Sequence, residues 1–254
     1  MSLKNGTVLI TGASSGFGAA TAKMIAARWP YAKLMLTGRR RDRLEAVARE
    51  IGEDRARVYP FDIRNRRAVV LFAADYASEL KNVSVLINNA GLAAGLDTFQ
   101  EASLDDWDQM IDTNVKGLLY ISRLVMPHLI ARGEGHVVNI GSIAGRDVYP
   151  KGHVYNATKF AVRALTEAMR IDTLGTGVRV TSIDPGMAET EFSLVRFKGD
   201  EERAGSVYKG MRPLSAEDIA EAILWSLDRP AHVNVQEILL MPTDQASARD
   251  VHRK

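Results

Sequence analysis

A tyrosine and a lysine stand four residues apart in VYNATKFAV, at Tyr155 and Lys159. Apolar residues at Val154, Ala157, Phe160, Ala161, Ala164, Leu165, Ala168 and Met169 recur at the three-and-four spacing of one buried helical face. That spacing predicts a helix carrying Tyr155 and Lys159 side by side. A phenol beside an ammonium is either a surface pair or an acid under electrostatic tuning.

Other residues suggest a ligand. TGASSGFG, Thr11 to Gly18, places Gly12, Gly16 and Gly18 where a backbone could turn tightly against a pyrophosphate at a helix N-terminus. The spacing is not the strict GxGxxG, and an ordinary glycine-rich strand–helix turn reads the same way. TGRRRDR follows: Gly38 stands where a NAD site presents an acid, and Arg39, Arg40 and Arg41 come next. Arginine suits the 2′-phosphate of NADP through paired donors, whereas a solvated helix start is the plain alternative. Cations at a helix N-terminus oppose the macrodipole, which favours a functional reason. Asp62 is placed either to accept from an adenine amino group or to cap the next helix. NNAG, 88–91, offers amides and a glycine at a strand end, and Asn114 sits inside a helix pattern, where it is a poor former. A buried asparagine needs partners, so a structural role competes with a catalytic one there.

The elements that must position these residues alternate along the chain. Short β-rich runs fall at 7–12, 33–38, 56–62, 83–91, 136–142, 178–186 and 237–242, with helix-period segments beginning near Ser15, Arg41, Arg64, Leu104, Tyr155 and Ala216. The pattern predicts an α/β, doubly wound fold whose parallel sheet carries helices on both faces. No linker or repeat divides residues 1–254, so one domain is expected. The long irregular stretch 186–214 reads as a substrate lid.

Composition excludes several classes. With 33 basic and 31 acidic residues the net charge is +2, which is not the footprint of a nucleic-acid binder. The chain has no cysteine, hence no disulfide framework or thiolate chemistry, in keeping with a cytoplasmic protein. No metal site is expected. No apolar run approaches the ~20 residues that span a bilayer, and MSLKNGTVLITG lacks the apolar region of a signal peptide.

TGASSGFG, NNAG, Asn114, Ser142, Tyr155-x-x-x-Lys159 and Pro185-Gly186 together resemble, in order and spacing, the short-chain dehydrogenase/reductase superfamily. The resemblance implies a Rossmann fold with a seven-stranded sheet, a nicotinamide cofactor and a catalytic tetrad of Asn114, Ser142, Tyr155 and Lys159. It also implies cofactor contacts from Gly12, Ser14, Ser15, Gly16, Phe17, Gly18, Arg39, Arg40, Asp62, Ile63, Asn89, Ala90, Gly91, Pro185, Gly186 and Thr190, besides Tyr155 and Lys159. An unperturbed tyrosine titrates near ~10, so Lys159 and the oxidised nicotinamide are expected to lower Tyr155 for proton exchange. Ser142 would hydrogen-bond the substrate oxygen, Lys159 the ribose, and Asn114 a relay water.

GSIAGRDVYPKGHVYNATKFAV, PGMAETEFSLVRFKGDEERA and HVNVQEILLMPTDQAS are similar, more narrowly, to NADP-dependent 3-hydroxy acid dehydrogenases. That group oxidises serine, L-allo-threonine and 3-hydroxyisobutyrate, reduces malonic semialdehyde, and is typically homotetrameric. A small 3-hydroxy acid needs a cation for its carboxylate, and Arg196 is favoured over Arg146 as the clamp, each having a structural salt bridge or subunit contact as its alternative. The competing functions are reduction of another small carbonyl compound such as sulfoacetaldehyde and a non-catalytic NADP-binding regulatory role.

Overall fold

The computed structural model describes residues 6–254; the first five, part of the N-terminal segment considered above for targeting, lie outside the described residues. Seven parallel strands form one sheet: β1 Thr7–Thr11, β2 Lys33–Gly38, β3 Ala56–Pro60, β4 Val83–Asn88, β5 Gly135–Ile140, β6 Val178–Pro185 and β7 Glu237–Leu240. Their order is β3-β2-β1-β4-β5-β6-β7. The chain therefore reverses direction across the sheet between β1 and β4. The carboxyl ends there form the crevice in which open α/β sheets bind ligands.

Ten α-helices connect and flank the described strands: α1 Gly16–Arg28, α2 Arg41–Ile51, α3 Arg66–Asp75, α4 Ala77–Leu80, α5 Leu104–Ile111, α6 Leu118–Arg132, α7 His153–Asp172, α8 Glu191–Arg196, α9 Glu201–Ser206 and α10 Ala216–Leu227. Side chains of β1 alternate between two cores, as strand geometry requires. Val8 and Ile10 join Leu34, Leu44, Ile25 and Ile223 beneath α1, α2 and α10. Leu9 joins Leu86, Phe72, Ile121, Val125 and Val162 beneath α3, α6 and α7. Both faces are covered, which explains the nearly continuous apolar runs of the central strands.

Local chemistry sets the helix boundaries. Asn65 caps α3 by accepting from Ala68 N, so that helix starts two residues later than expected and Asp62 is not its cap. Ser215 and Asp218 form a capping box at α10. The stretch 186–214 is less irregular than its composition implies, because Thr190 and Asp200 cap the short helices α8 and α9 within it. Its ends are pinned by an Ala188–Leu214 bridge. The C-terminal residues fold back onto it, with Arg253 donating to the carbonyls of Lys209 and Val207. Among the described residues no helix is long and apolar enough to cross a membrane.

Candidate active site

The cleft at the carboxyl edge begins with the β1–α1 turn. Gly12 and Gly16 hold φ +66° and +51°, a conformation that favours glycine. At Gly12 a Cβ would lie 2.9 Å from Ala90 Cα, so the turn also packs tightly on the end of β4. Asn89 fixes it there by donating to the carbonyls of Thr11 (2.9 Å) and Gly12 (3.1 Å), while Thr11 Oγ1 accepts from the amides of Asn89 and Ala90. Ser15 precedes α1, and its side chain does not cap the first-turn amides. Ser14, Ser15, Gly16 and Phe17 line it. Gly18 does not: a Cβ there would meet Gly12 O at 2.5 Å, so its role is close packing beneath the turn.

The β2 end supplies the charges. Arg39 and Arg40 line the cleft, and Arg40 Nη2 donates to Ser14 Oγ (3.1 Å) and Ser15 Oγ (2.7 Å). A phosphate at this point would meet two hydroxyls and two guanidinium groups. Arg41 instead pairs with Glu45 one helical turn on, as a solvated helix start would. Asp62 and Ile63 line the adjoining wall, with the Asp62 carboxylate accepting from the backbone and side chain of Arg64. Ala90, Gly91, Pro185, Gly186 and Thr190 complete the groove from the β4 and β6 ends. These residues fit a dinucleotide carrying an extra phosphate.

Deeper in, α7 presents Tyr155 and Lys159 as the helical period requires. The Ile143–Gly145 turn lies directly on α7: a Cβ at Gly145 would fall 2.6 Å from Lys159 O. That contact sets Ser142 beside Tyr155. Ser142 Oγ accepts from Ala144 N at 3.1 Å and faces the cleft. Lys159 is buried, and its Nζ donates to Ile140 O at 2.9 Å at the end of β5. Burial pulls its pKa down to about 8, with Asp184 opposing the shift.

The surroundings of Tyr155 include more than Lys159. Burial, and then the neighbouring Tyr149, push the Tyr155 phenol above its ordinary range, and the cation opposing them is Arg196. Lys159 is turned toward the Ile140 carbonyl, its Nζ 5.8 Å from the phenol ring centroid. Arg196 is thus a further cation beside the acid for which sequence named Lys159 and the oxidised nicotinamide.

Arg196 closes α8, and its guanidinium lies over Tyr149 and Tyr155 at 5.5 Å and Phe192 at 6.0 Å. It donates to Gly95 O and the Tyr149 hydroxyl and, among the described residues, forms no salt bridge. Arg146 behaves oppositely. Its guanidinium pairs with Asp184 (2.7 Å) and Glu237 (2.6 Å) and does not line the cleft, so it is neutralised in the scaffold and is no substrate clamp.

Asn114 is seated behind the cleft lining. It lies in a π-helical segment, Asp112–Gly117, between α5 and α6, buried and outside the cleft lining. Its amide accepts from Leu92 N (2.9 Å) and donates to Leu92 O (2.8 Å) and Thr158 Oγ1 (3.0 Å). The side chain ties the segment after β4 to α7 at Thr158, between Tyr155 and Lys159. Sequence reasoning missed Thr11, Tyr149, Phe192 and Glu191. The aromatic and acidic residues within DVYP and ETEF were the available signals.

A family model described as short chain dehydrogenase matches residues 6–200, and the chain belongs to that family of oxidoreductases. Among its relatives, NADP-dependent 3-hydroxy acid dehydrogenase YdfG of Salmonella typhi is 46% identical over 248 residues, covering 97% of this chain and 99% of the relative. Sulfoacetaldehyde reductase 2 of Chromohalobacter salexigens is 47% identical over 243 residues, 94% of this chain and 95% of the relative. A solved closed form of serine dehydrogenase complexed with NADP+ superposes with a TM-score of 0.92 at 44% identity, covering 98% of this chain and all of that one.

Two outcomes follow from this geometry. Tyr155→Phe keeps the ring and removes the hydroxyl, so kcat should fall at least ~100-fold while NADPH affinity, read by nucleotide fluorescence, stays within about twofold. Near-normal turnover would exclude Tyr155 as the acid. Lys159 is charged up to 10.5 when unfolded but only to about 8 when folded. The unfolded chain therefore binds the extra proton between those values, and stability rises with pH across that window. Lys159→Met should flatten the rise in urea midpoint between pH 8 and 10.5. An unchanged rise would assign it to another group.

Proposed function

We propose that the protein is an NADP-dependent oxidoreductase interconverting a short 3-hydroxy acid, such as serine, allo-threonine, 3-hydroxyisobutyrate or 3-hydroxypropionate, with its 3-oxo acid. The observation that carries this reading is Arg196: a cleft-facing guanidinium stacked among three aromatic rings and forming no salt bridge with the described residues. A carboxylate is the ligand that its paired donors suit best. The named activities of the relatives and the NADP+ of the superposed serine dehydrogenase support it.

The nicotinamide cofactor, when bound, supplies or accepts the hydride. In the oxidising direction Tyr155 takes the hydroxyl proton of the substrate as its carbon gives up hydride; in reduction it returns that proton to the carbonyl oxygen. Ser142 hydrogen-bonds the same oxygen and steadies its developing charge. Arg196 holds the carboxylate and its positive charge favours the phenolate of Tyr155. Lys159 serves the ribose, and Asn114, bonded to α7 through Thr158, keeps that helix in register and holds a relay water. Arg39, Arg40, Ser14 and Ser15 bind the 2′-phosphate.

Reduction of sulfoacetaldehyde is the second reading, supported by the similarity to a sulfoacetaldehyde reductase and by the fact that a sulfonate satisfies the same guanidinium. An NADP(H)-linked absorbance screen across the four hydroxy acids, malonic semialdehyde and sulfoacetaldehyde separates the two, and absence of turnover on all would leave a non-catalytic binding role. The near-balanced charge supports a small-molecule substrate over nucleic acid. Cytoplasmic residence and a homotetramer complete the proposal. The lack of cysteine supports the first, and exposed Leu104, Ile111 and Leu119 along α5 and α6 support the second.

Replacing Arg39 and Arg40 with alanine should raise the Kd for NADPH at least ~10-fold while changing that for NADH little, since each charge-assisted phosphate bond contributes about 1.5–3 kcal/mol. Equal losses would reduce these arginines to a solvated helix start. Arg196→Ala should raise KM for serine or 3-hydroxyisobutyrate ~10-fold or more and spare a neutral short aldehyde. Parallel losses on charged and neutral substrates would remove the clamp.

A further inference from the structure

Glu191 opens α8, and its carboxylate crosses the mouth of the cleft to the arginines after β2. One oxygen accepts from Arg40 Nη1 at 3.0 Å, and the other from Arg43 Nη1. Burial alone would raise the Glu191 carboxyl, but the bonds from Arg40 and Arg43 outweigh it and hold the group below the ordinary range. At the other end of the same six-residue helix stands Arg196. One short rod therefore touches the cofactor's arginines with its first residue and the substrate side with its last.

Arg40 divides its donors between these two tasks. Nη1 goes to Glu191, whereas Nε and Nη2 face Ser14 and Ser15 across the glycine turn. The guanidinium is planar, so a ligand that fixes one edge also fixes the other. We propose that Glu191 is a positioning residue that couples closure of 186–214 over the substrate to occupation of Arg40 by the cofactor's 2′-phosphate. A phosphate on the Nε–Nη2 edge sets the plane in which Nη1 receives Glu191. A dinucleotide without that phosphate leaves the edge to the two serine hydroxyls, and the carboxylate meets a less fixed partner. The effect is a difference between the open and closed states, which is what any ligand-driven closure requires. It is also reciprocal: a closed α8 holds Arg40 for the phosphate and tightens the cofactor.

The rest of the segment's ties do not involve the 2′-phosphate. Lys198 pairs with Asp106 at 3.0 Å, and Gly95 N donates to Arg196 O at 3.0 Å. These contacts hold the substrate side of α8 with either cofactor. Discrimination between the two cofactors enters the lid through Glu191.

The inference rests on the reading of Arg40 as a 2′-phosphate ligand, which the Arg39/Arg40 double variant tests by itself. The coupling is read without turnover, from trypsin cleavage at Lys198, Arg203 and Lys209 in the full-length protein with saturating NADPH or NADH. In the wild type, NADPH should slow cleavage about fivefold more than NADH. Glu191→Gln should abolish that difference and weaken NADPH binding a few-fold, with the NADH Kd unchanged. Arg43→Gln, which leaves Arg39 and Arg40 in place, should diminish the difference while preserving the preference for NADPH. Equal protection by the two cofactors in the wild type overturns the proposal. So does a Glu191→Gln protein that binds NADPH more tightly and keeps its unequal protection, since the carboxylate would then only compete with the phosphate. A double variant that keeps full preference for NADPH removes the phosphate reading itself, whereas an unaltered Glu191→Gln removes only the coupling.

Discussion

The site depends on keeping one amine dry. Lys159 sits in the core between α7 and the end of β5, where its Nζ has the Ile140 carbonyl as hydrogen-bond partner. Burying an ammonium is costly, and the protein accepts it beside the Tyr155 phenol, where a charge is felt through a low dielectric. The neighbouring elements are arranged to permit this. Gly145 lets a turn lie on the Lys159 carbonyl, the Asn114 amide binds α7 through Thr158, and Asp184, tied to Arg146, gives the amine a distant counter-charge. Adding a side chain at Gly145, or removing the Asn114 amide or the Asp184 acid, would disturb the same few ångströms.

Around that fixed centre the charges fall into two kinds. Arg146 and Asp184 are satisfied by each other and by Glu237, and they hold β6 and β7 in place. Arg196 and Arg40 are satisfied by carbonyls, hydroxyls and one carboxylate, contacts that a stronger anion can share or replace. Basic residues in this cleft are therefore told apart by their partners. A guanidinium already held by two acids contributes architecture, and one held by neutral oxygens is ready for a ligand.

That distinction marks the boundary of what the sequence made legible. The strands, the parallel sheet and the main helices followed from alternation and period, and Tyr155, Lys159 and the glycine turn were readable because a local spacing fixes their geometry. Arg146 was not readable as scaffold, because its acids come from β6 and β7, which no local pattern brings near. Asn114 looked like an intruder in a helix; the π-helical turn that seats it arises from packing on Leu92 and Thr158. The two short helices of 186–214 rest on single caps and on contacts with the rest of the fold, so composition alone read as irregular. Arg196 joins Lys159 as a cation beside the phenol, and sequence could not show this because only the folded chain stacks α8 over α7.

The tie between Thr11 and the Asn89–Ala90 amides also has a consequence for how the chain assembles. β1 and its turn are made early in the sequence, but the turn is held in shape by groups nearly eighty residues further on. Between them lie β2, β3 and the helices that must cross the sheet before β4 can dock. Parallel pairing over such separations is slow to form, since loop closure precedes any reward. The nucleotide cradle is therefore a late product of folding, assembled by the central strands rather than inherited from its own glycines. A dinucleotide has little to bind until that docking is complete, and afterwards it pulls the equilibrium toward the folded chain by mass action. Cofactor supply would thus set the working lifetime of the protein as well as its rate.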